Sequence, residues 1–178
     1  MYWILFIMGA MASVVIALVV GGLATPRTHV VARTMRLATP RGAVWDSIRA
    51  VHDYASWRNE IEDVERVDTD QPQIRWREMT TRRAMLFGAV VDDAPQHFAA
   101  RILDEDLPFS GEWHWHLDDD AGETRVTITE RGAIGNPIFR LIGTYIIGHT
   151  KTIDRYLRDL AQKHQQPNAT ITDAAPRV

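Results

Sequence analysis

Between Tyr2 and Ala24 the chain carries no charged side chain: YWILFIMGAMASVVIALVVGGLA. As a helix rising about 1.5 Å per residue, that run just exceeds the roughly 30 Å hydrocarbon core of a bilayer. The run also divides the charge. All 23 acidic residues lie from Asp46 onward, whereas the first 45 residues carry only Arg27, Arg33, Arg36 and Arg41. The first part therefore holds +4, and the remainder, with 16 basic against 23 acidic residues, holds −7. A chain of 178 residues has room for one ordinary domain beyond the apolar run. That domain is acidic and shows no basic stripe, which argues against a nucleic-acid partner. The absence of cysteine excludes a disulfide framework, a thiolate metal site and a cysteine nucleophile.

Two readings of the apolar run stand. Tyr2 and Trp3 suit the headgroup zone at one end, and Pro26-Arg27 closes the other, as expected of a single-pass membrane anchor. Gly22-Leu23-Ala24 also fits a small-x-small signal cleavage site. No Lys or Arg precedes the run, and it is longer than the roughly 7 to 15 residues of a signal core, so the uncleaved anchor is favoured. The arginines after the run place the soluble domain in the cytoplasm by the positive-inside bias. Lone glycines are common in membrane spans, so Gly9, Gly21 and Gly22 assign no oligomeric state.

After a short linker, Thr25 to Thr28, the pattern becomes that of an α+β domain over residues 28–165. His29 to Ala38 reads as a strand. Thr39-Pro40 supplies an N-cap and an N1 proline for a helix whose apolar residues are Val44, Trp45, Ile48 and Val51. A second short helix is expected over Asp53 to Ile61, with Asp53 as its cap. Six strands follow, at Val64–Thr69, Gln73–Met79, Arg82–Val91, His97–Leu103, Gly111–Asp118 and Glu123–Arg131, separated by turn residues such as Gln71-Pro72. Their short connections predict an antiparallel meander. Asn136-Pro137 opens a long helix to about His164, with an apolar stripe of Phe139, Ile142, Ile146, Ile153, Tyr156, Leu157 and Leu160. A curved antiparallel sheet wrapped around that helix buries the apolar side of each. Residues 166–178 show no core pattern and are expected to be disordered.

Several local motifs accompany this order. They are Ala43-Val44-Trp45, Tyr54-Ala55-Ser56-Trp57, Trp76-Arg77-Glu78, Leu107 to Trp113 (LPFSGEW), Thr124 to Gly132 (TRVTITERG) and Asn136 to Arg140 (NPIFR). In these the chain resembles the START-like helix-grip (SRPBCC) superfamily, and within it the polyketide cyclase/dehydrase-like proteins. The resemblance covers about Thr28 to His164. Ala55, where the family often has proline, and Ser110, where glycine is usual, are small departures in turns. The resemblance implies a cavity between sheet and helix that accepts a hydrophobic or lipid-like molecule. It does not fix a chemistry, because the superfamily includes carriers, cyclases, ring-oxygenase domains and stress-linked modules.

Strand alternation nominates the cavity lining. The inward sets are Ile74, Trp76 and Glu78; Trp113, Trp115 and Leu117; and Val126, Ile128 and Glu130. Apolar walls with a few polar groups are the usual make-up of a ligand pocket. Trp57, Trp76, Trp113 and Trp115 either stack on a ligand or fill the core. Ile128 on its strand, and Arg140, Tyr145 and His149 on the last helix, complete the ligand-binding candidates. Glu78 and Glu130 are the acid–base candidates, since a carboxyl facing an apolar cavity has a raised pKa. The competing reading pairs each with an arginine, such as Arg140, or with backbone amides. Glu112, His114 and His116 set three potential metal ligands on one strand face, but the face opposite the tryptophans is expected to be wet and no metal is assigned. Phosphate-binding loops are absent, and no cofactor is expected. Three functions follow: a membrane-anchored domain binding a hydrophobic molecule, a cyclase or dehydratase using an inward glutamate, and a non-catalytic interaction module of the cell envelope.

Overall fold

The apolar–polar alternation that begins at Thr28 forms strands in the computed structural model, which describes residues 2–68, 70 and 73–177, and for Ile146 and Ile147 the backbone alone. Helix α1 (Tyr2–Ala24) is long and apolar enough to cross a membrane. It leads through Thr25–Arg27 into β1 (Thr28–Leu37) and α2 (Arg41–Arg49). Then come β2 (Asp63–Val67), β3 (Arg75–Met79), β4 (Ala84–Asp93), β5 (His97–Ile102), β6 (Phe109–Asp120) and β7 (Glu123–Ile134). The expected strand end at Thr69 and the turn at Gln71-Pro72 lie outside the described residues. The strands form one antiparallel sheet in the order β2-β3-β4-β5-β6-β7-β1-β8, where β8 is Ile171–Asp173.

Four expectations change. Pro40 stands at the N-cap of α2 rather than at N1, and Thr39 serves instead as an acceptor for the Gln166 side chain and for Thr124 Oγ1. The second helix is a 3₁₀ turn over Val51–Ser56, with Asp53 in its first turn and not at its cap. The amides of Trp57 and Arg58 both bond back to the Tyr54 carbonyl, which ends the turn and sends the Arg58 side chain inward.

The last helix is not continuous. Asn136 caps α3 (Pro137–Ile142) through its side chain, as the Asn-Pro pair predicts. A π-helical turn (Gly143–Ile147) follows, and the chain then breaks at Gly148, whose φ of 78° is left-handed, before α4 (Lys151–Lys163) begins. Only α4 lies on the sheet, burying Ile153, Tyr156, Leu157 and Leu160. α3 packs on α1 instead.

The tail is ordered along part of its length. β8 adds to the outer edge of β1, whose unpaired backbone groups offer a template. Arg33 fixes it by pairing with Asp154 of α4 at 2.7 Å and with Asp173 of β8. Beyond β8 the chain crosses the convex face, where the Arg177 amide donates to Thr129 Oγ1 at 2.9 Å and its guanidinium pairs with Asp118.

The core packs toward one end of the sheet and reaches Trp76, Ala100 and Trp115 at its middle. It joins Met35, Leu37, Trp45, Phe98, Leu117, Val126 and Ile128 to α2 and α4. The strand register sets the other end: Thr28 faces Ala133, Phe109 faces Ile134, Phe87 faces Ile102 and Met79 faces Ala84. This is the end at which β1 emerges from α1 and β7 runs into α3.

Candidate ligand-binding site

Toward that α1-proximal end a cavity of about 310 Å³ remains. Its walls come from alternate positions of successive strands: Trp76 and Glu78 of β3, Met85 and Phe87 of β4, Ala100 and Ile102 of β5, Gly111, Trp113 and Trp115 of β6, and Glu130 of β7. Tyr54, Arg58 and Ile61 close one side, and Thr152 at the start of α4 closes another. Val31 on β1 lies directly across from Glu130, three residues past Thr28, so the cavity sits about 10 Å along the strands from the end of the linker.

Glu78, 4% exposed, does not stand isolated among apolar groups. Arg58 Nη1 donates to its Oε1 at 2.9 Å, and Trp76 Nε1 donates to the same oxygen at 3.1 Å. Arg58, 8% exposed, also reaches Glu60 at 3.0 Å, and Glu60 is held in turn by Arg155. The guanidinium lies 4.9 Å from the Tyr54 ring centre and 5.2 Å from that of Tyr156, within cation–π range. Burial works against the charged Arg58, but Glu78 and its neighbours outweigh it and hold its pKa above the ordinary value. Burial pushes the Tyr54 and Tyr156 hydroxyls well above the ordinary phenol range, and Arg58 opposes it only in part, so both stay neutral donors. Arg58 Nε and Trp115 Nε1 are buried donors without a partner among the described residues.

Glu130 heads a second network. Trp113 Nε1 donates to Oε2 at 2.9 Å, and His29 Nε2 donates to Oε1 at 3.2 Å. The His29 ring stacks on His149 at 3.7 Å between centres, and His149 Nε2 lies 3.3 Å from Thr144 Oγ1 in the π-helical turn. Burial, followed by the neighbouring His29, lowers the pKa of His149 and favours its neutral form. A carboxylate on the cavity wall with two fixed donors and a stacked imidazole behind it can accept or pass a proton.

The nominated residues therefore divide. Glu78, Glu130, Trp76, Trp113 and Trp115 converge on the cavity, while His149 stands behind it. Ile128 is fully buried in the core, and Trp57 packs edge-on against Tyr54 and Tyr156. Tyr145 is exposed on the far side of the helix break. Arg140 pairs with neither glutamate. Its guanidinium binds four backbone carbonyls, those of Gly22, Thr25, Ile134 and Gly135. Arg58, Tyr54 and His29 were not nominated. His29 could have been found by running the inward alternation of β1 back from Leu37 through Met35, Arg33 and Val31. Arg58 lies outside a strand, and no periodicity gives its direction.

The convex face also departs from expectation. His114 is buried rather than wet, because Thr129 and Ala99 beside it are short and the tail passes over Thr129. Its Nε2 lies 2.7 Å from Glu112 Oε1 and its Nδ1 lies 3.0 Å from Nε2 of His97, while His116 stacks on His97. Arg101 and His114 hold Glu112 below the usual carboxylate range although burial alone would raise it. Among the described residues these side chains point along the face and do not converge as metal ligands would.

A family model described as "Polyketide cyclase / dehydrase and lipid transport" matches residues 28–165. Curated proteins yield no match to this chain. Among solved structures, the Zhui aromatase/cyclase from Streptomyces sp. R1128 superposes with a TM-score of 0.62 at 16% identity, covering 78% of this chain and 94% of that one. Norcoclaurine synthase from Thalictrum flavum gives 0.60 at 9% identity, with 83% and 91% covered. A START superfamily protein from Mycobacterium smegmatis gives 0.59 at 14% identity, with 78% and 98% covered. At these identities the likeness establishes the helix-grip fold and no shared substrate.

Proposed function

The chain belongs to the polyketide cyclase / dehydrase and lipid transport family, and from that premise we propose that it is a membrane-anchored START-like domain that takes a hydrophobic, lipid-like molecule from the adjacent bilayer into its cavity. The observation that carries this reading is positional. The cavity reaches the end of the sheet that joins α1, where Ile102 and Phe109 to Gly111 line it, and its inner wall is made by the core residues Trp76, Ala100 and Trp115. α1 would span the bilayer once, with the domain on its cytoplasmic side, and the linker of Thr25–Arg27 would keep the cavity at the lipid surface. The walls are mostly aromatic and aliphatic, with Arg58 and Glu130 among the few polar groups, which suits an apolar ligand bearing a polar group.

Native mass spectrometry of the full chain, extracted in mild detergent, tests this. A recurrent bound apolar mass is expected. It should disappear in Ile102→Trp, which fills the cavity from a half-buried wall position, while the thermal midpoint stays close to that of the parent. A parent protein that carries no bound mass, even after incubation with total membrane lipid, would remove the reading.

A second reading, a cyclase or dehydratase, is favoured by Glu130 specifically. Its carboxylate lines the cavity with both oxygens held by donors, an arrangement suited to proton transfer. That reading predicts that Glu130→Gln abolishes turnover of a polyketide-like substrate while leaving its binding intact. Equal turnover by variant and parent would sink it. Glu78, locked to Arg58 and Trp76, is assigned to holding the wall together.

A further inference from the structure

The segment Pro137–Ile147, PIFRLIGTYII, contains one charged residue, Arg140, and that residue is 3% exposed. Its guanidinium is consumed by backbone. Nη1 donates to the carbonyls of Gly22 at 3.2 Å and Thr25 at 2.9 Å, Nη2 to Gly135 at 3.0 Å and Nε to Ile134 at 3.2 Å. The carbonyls in the last turn of a helix lack a partner within the helix, and a cation there is favoured by the helix dipole. Arg140 thus closes α1 and ties it to the end of β7. The backbones also touch: a Cβ on Gly22 would meet the Pro137 carbonyl oxygen at 2.0 Å, and one on Gly21 would rest on Leu141 at 3.4 Å.

These contacts fix a depth. α1 is just long enough to cross the hydrocarbon core, so its last turn stands at the hydrocarbon edge, and α3 stands beside that turn. The outward surface of the segment matches such a place. Outside α1, Phe139 (54%) and Tyr145 (72%) are the only large exposed aromatic side chains among the described residues. The headgroup layer favours aromatic rings in such a place.

We infer that Pro137–Ile147 is a second lipid-contacting element, seating Phe139 and Tyr145 in the headgroup layer beside the end of α1, with Arg140 holding it at that depth. The partner is the bilayer itself, and the inference rests on the reading of α1 as a span. The element continues through Gly148 into α4, whose Thr152 lines the cavity. One wall of the cavity is therefore attached directly to the part of the protein that touches lipid.

The chain lacks cysteine, so single-cysteine spin labelling needs no background removal. Phe139→Cys, Tyr145→Cys, Val14→Cys within α1 and Glu123→Cys at the far end of the sheet are each labelled in the full chain and reconstituted into phosphatidylcholine–phosphatidylglycerol vesicles. All four positions are exposed in the fold, so labelling removes no buried contact. Collision with oxygen reports lipid, and collision with a water-soluble nickel chelate reports water. Labels at 139 and 145 are expected to lose nickel collision and gain oxygen collision relative to 123, at a shallower depth than 14. Water-like labels at 139 and 145 together with a lipid-like label at 14 would overturn this inference alone. A water-like label at 14 would remove the anchoring reading and this inference with it.

Discussion

Arg58 and Glu78 form a buried pair whose members depend on each other more than the fold depends on the pair. Replacing Glu78 by leucine leaves a guanidinium inside without its carboxylate, and the expected loss is about 3–5 kcal/mol in chemical unfolding. The double variant Glu78→Leu, Arg58→Met removes both charges and should recover most of that loss, which a double-mutant cycle would read. His116 offers a pH test. Burial, and after it the nearby His97 and Arg177, lowers its pKa to about 4. The unfolded chain takes up that proton near the ordinary histidine value of about 6.5, while the folded chain resists it until about pH 4. Stability is therefore fully present above about pH 6.5 and declines as the pH falls toward 4. His97, His149 and His164 are lowered in the same sense, so His116→Gln should flatten the fall in thermal midpoint between pH 7.5 and 4.5 without abolishing it.

At the scale of elements, the break at Gly148 separates the segment that packs on α1 from the helix that packs on the sheet. A side chain at φ 78° and ψ 145° is strained, so Gly148→Ala is expected to cost about 1–3 kcal/mol in thermal or urea unfolding. The strands were legible because their alternation is a local signal: Trp113, Trp115 and Leu117 face inward as the period of two requires. The Asn136 cap was legible for the same reason. The helix break was not, since Phe139, Ile142 and Ile153 keep helical spacing across it, and the partner of α3 lies more than a hundred residues away in α1. β8 is three residues long, too short for a pattern, and exists only because β1 presents an open edge. Of the cavity, the tryptophans and both glutamates could be read from strand parity. Arg58 and the four-carbonyl role of Arg140 depend on tertiary placement that no spacing encodes.

At the scale of the molecule, Arg140 is where α1 and the domain meet. Arg140→Met keeps the apolar stem and removes all four carbonyl contacts, so amide hydrogen exchange should rise across residues 134–147 while protection of β3 to β6 stays unchanged. Equal exchange in variant and parent would show that the clamp contributes nothing to the junction. The three linker residues, Thr25–Arg27, reach about 10 Å at full extension, and Arg140 bonds across them. On the proposed anchoring, a cavity moored so tightly would be a berth and not a ferry, with no reach to a second membrane. Its cargo would then arrive and depart by lateral diffusion within a single leaflet. Occupancy would follow the mole fraction of the ligand in that leaflet rather than its concentration in water, and onward delivery would fall to whatever mobile acceptor calls at the same surface.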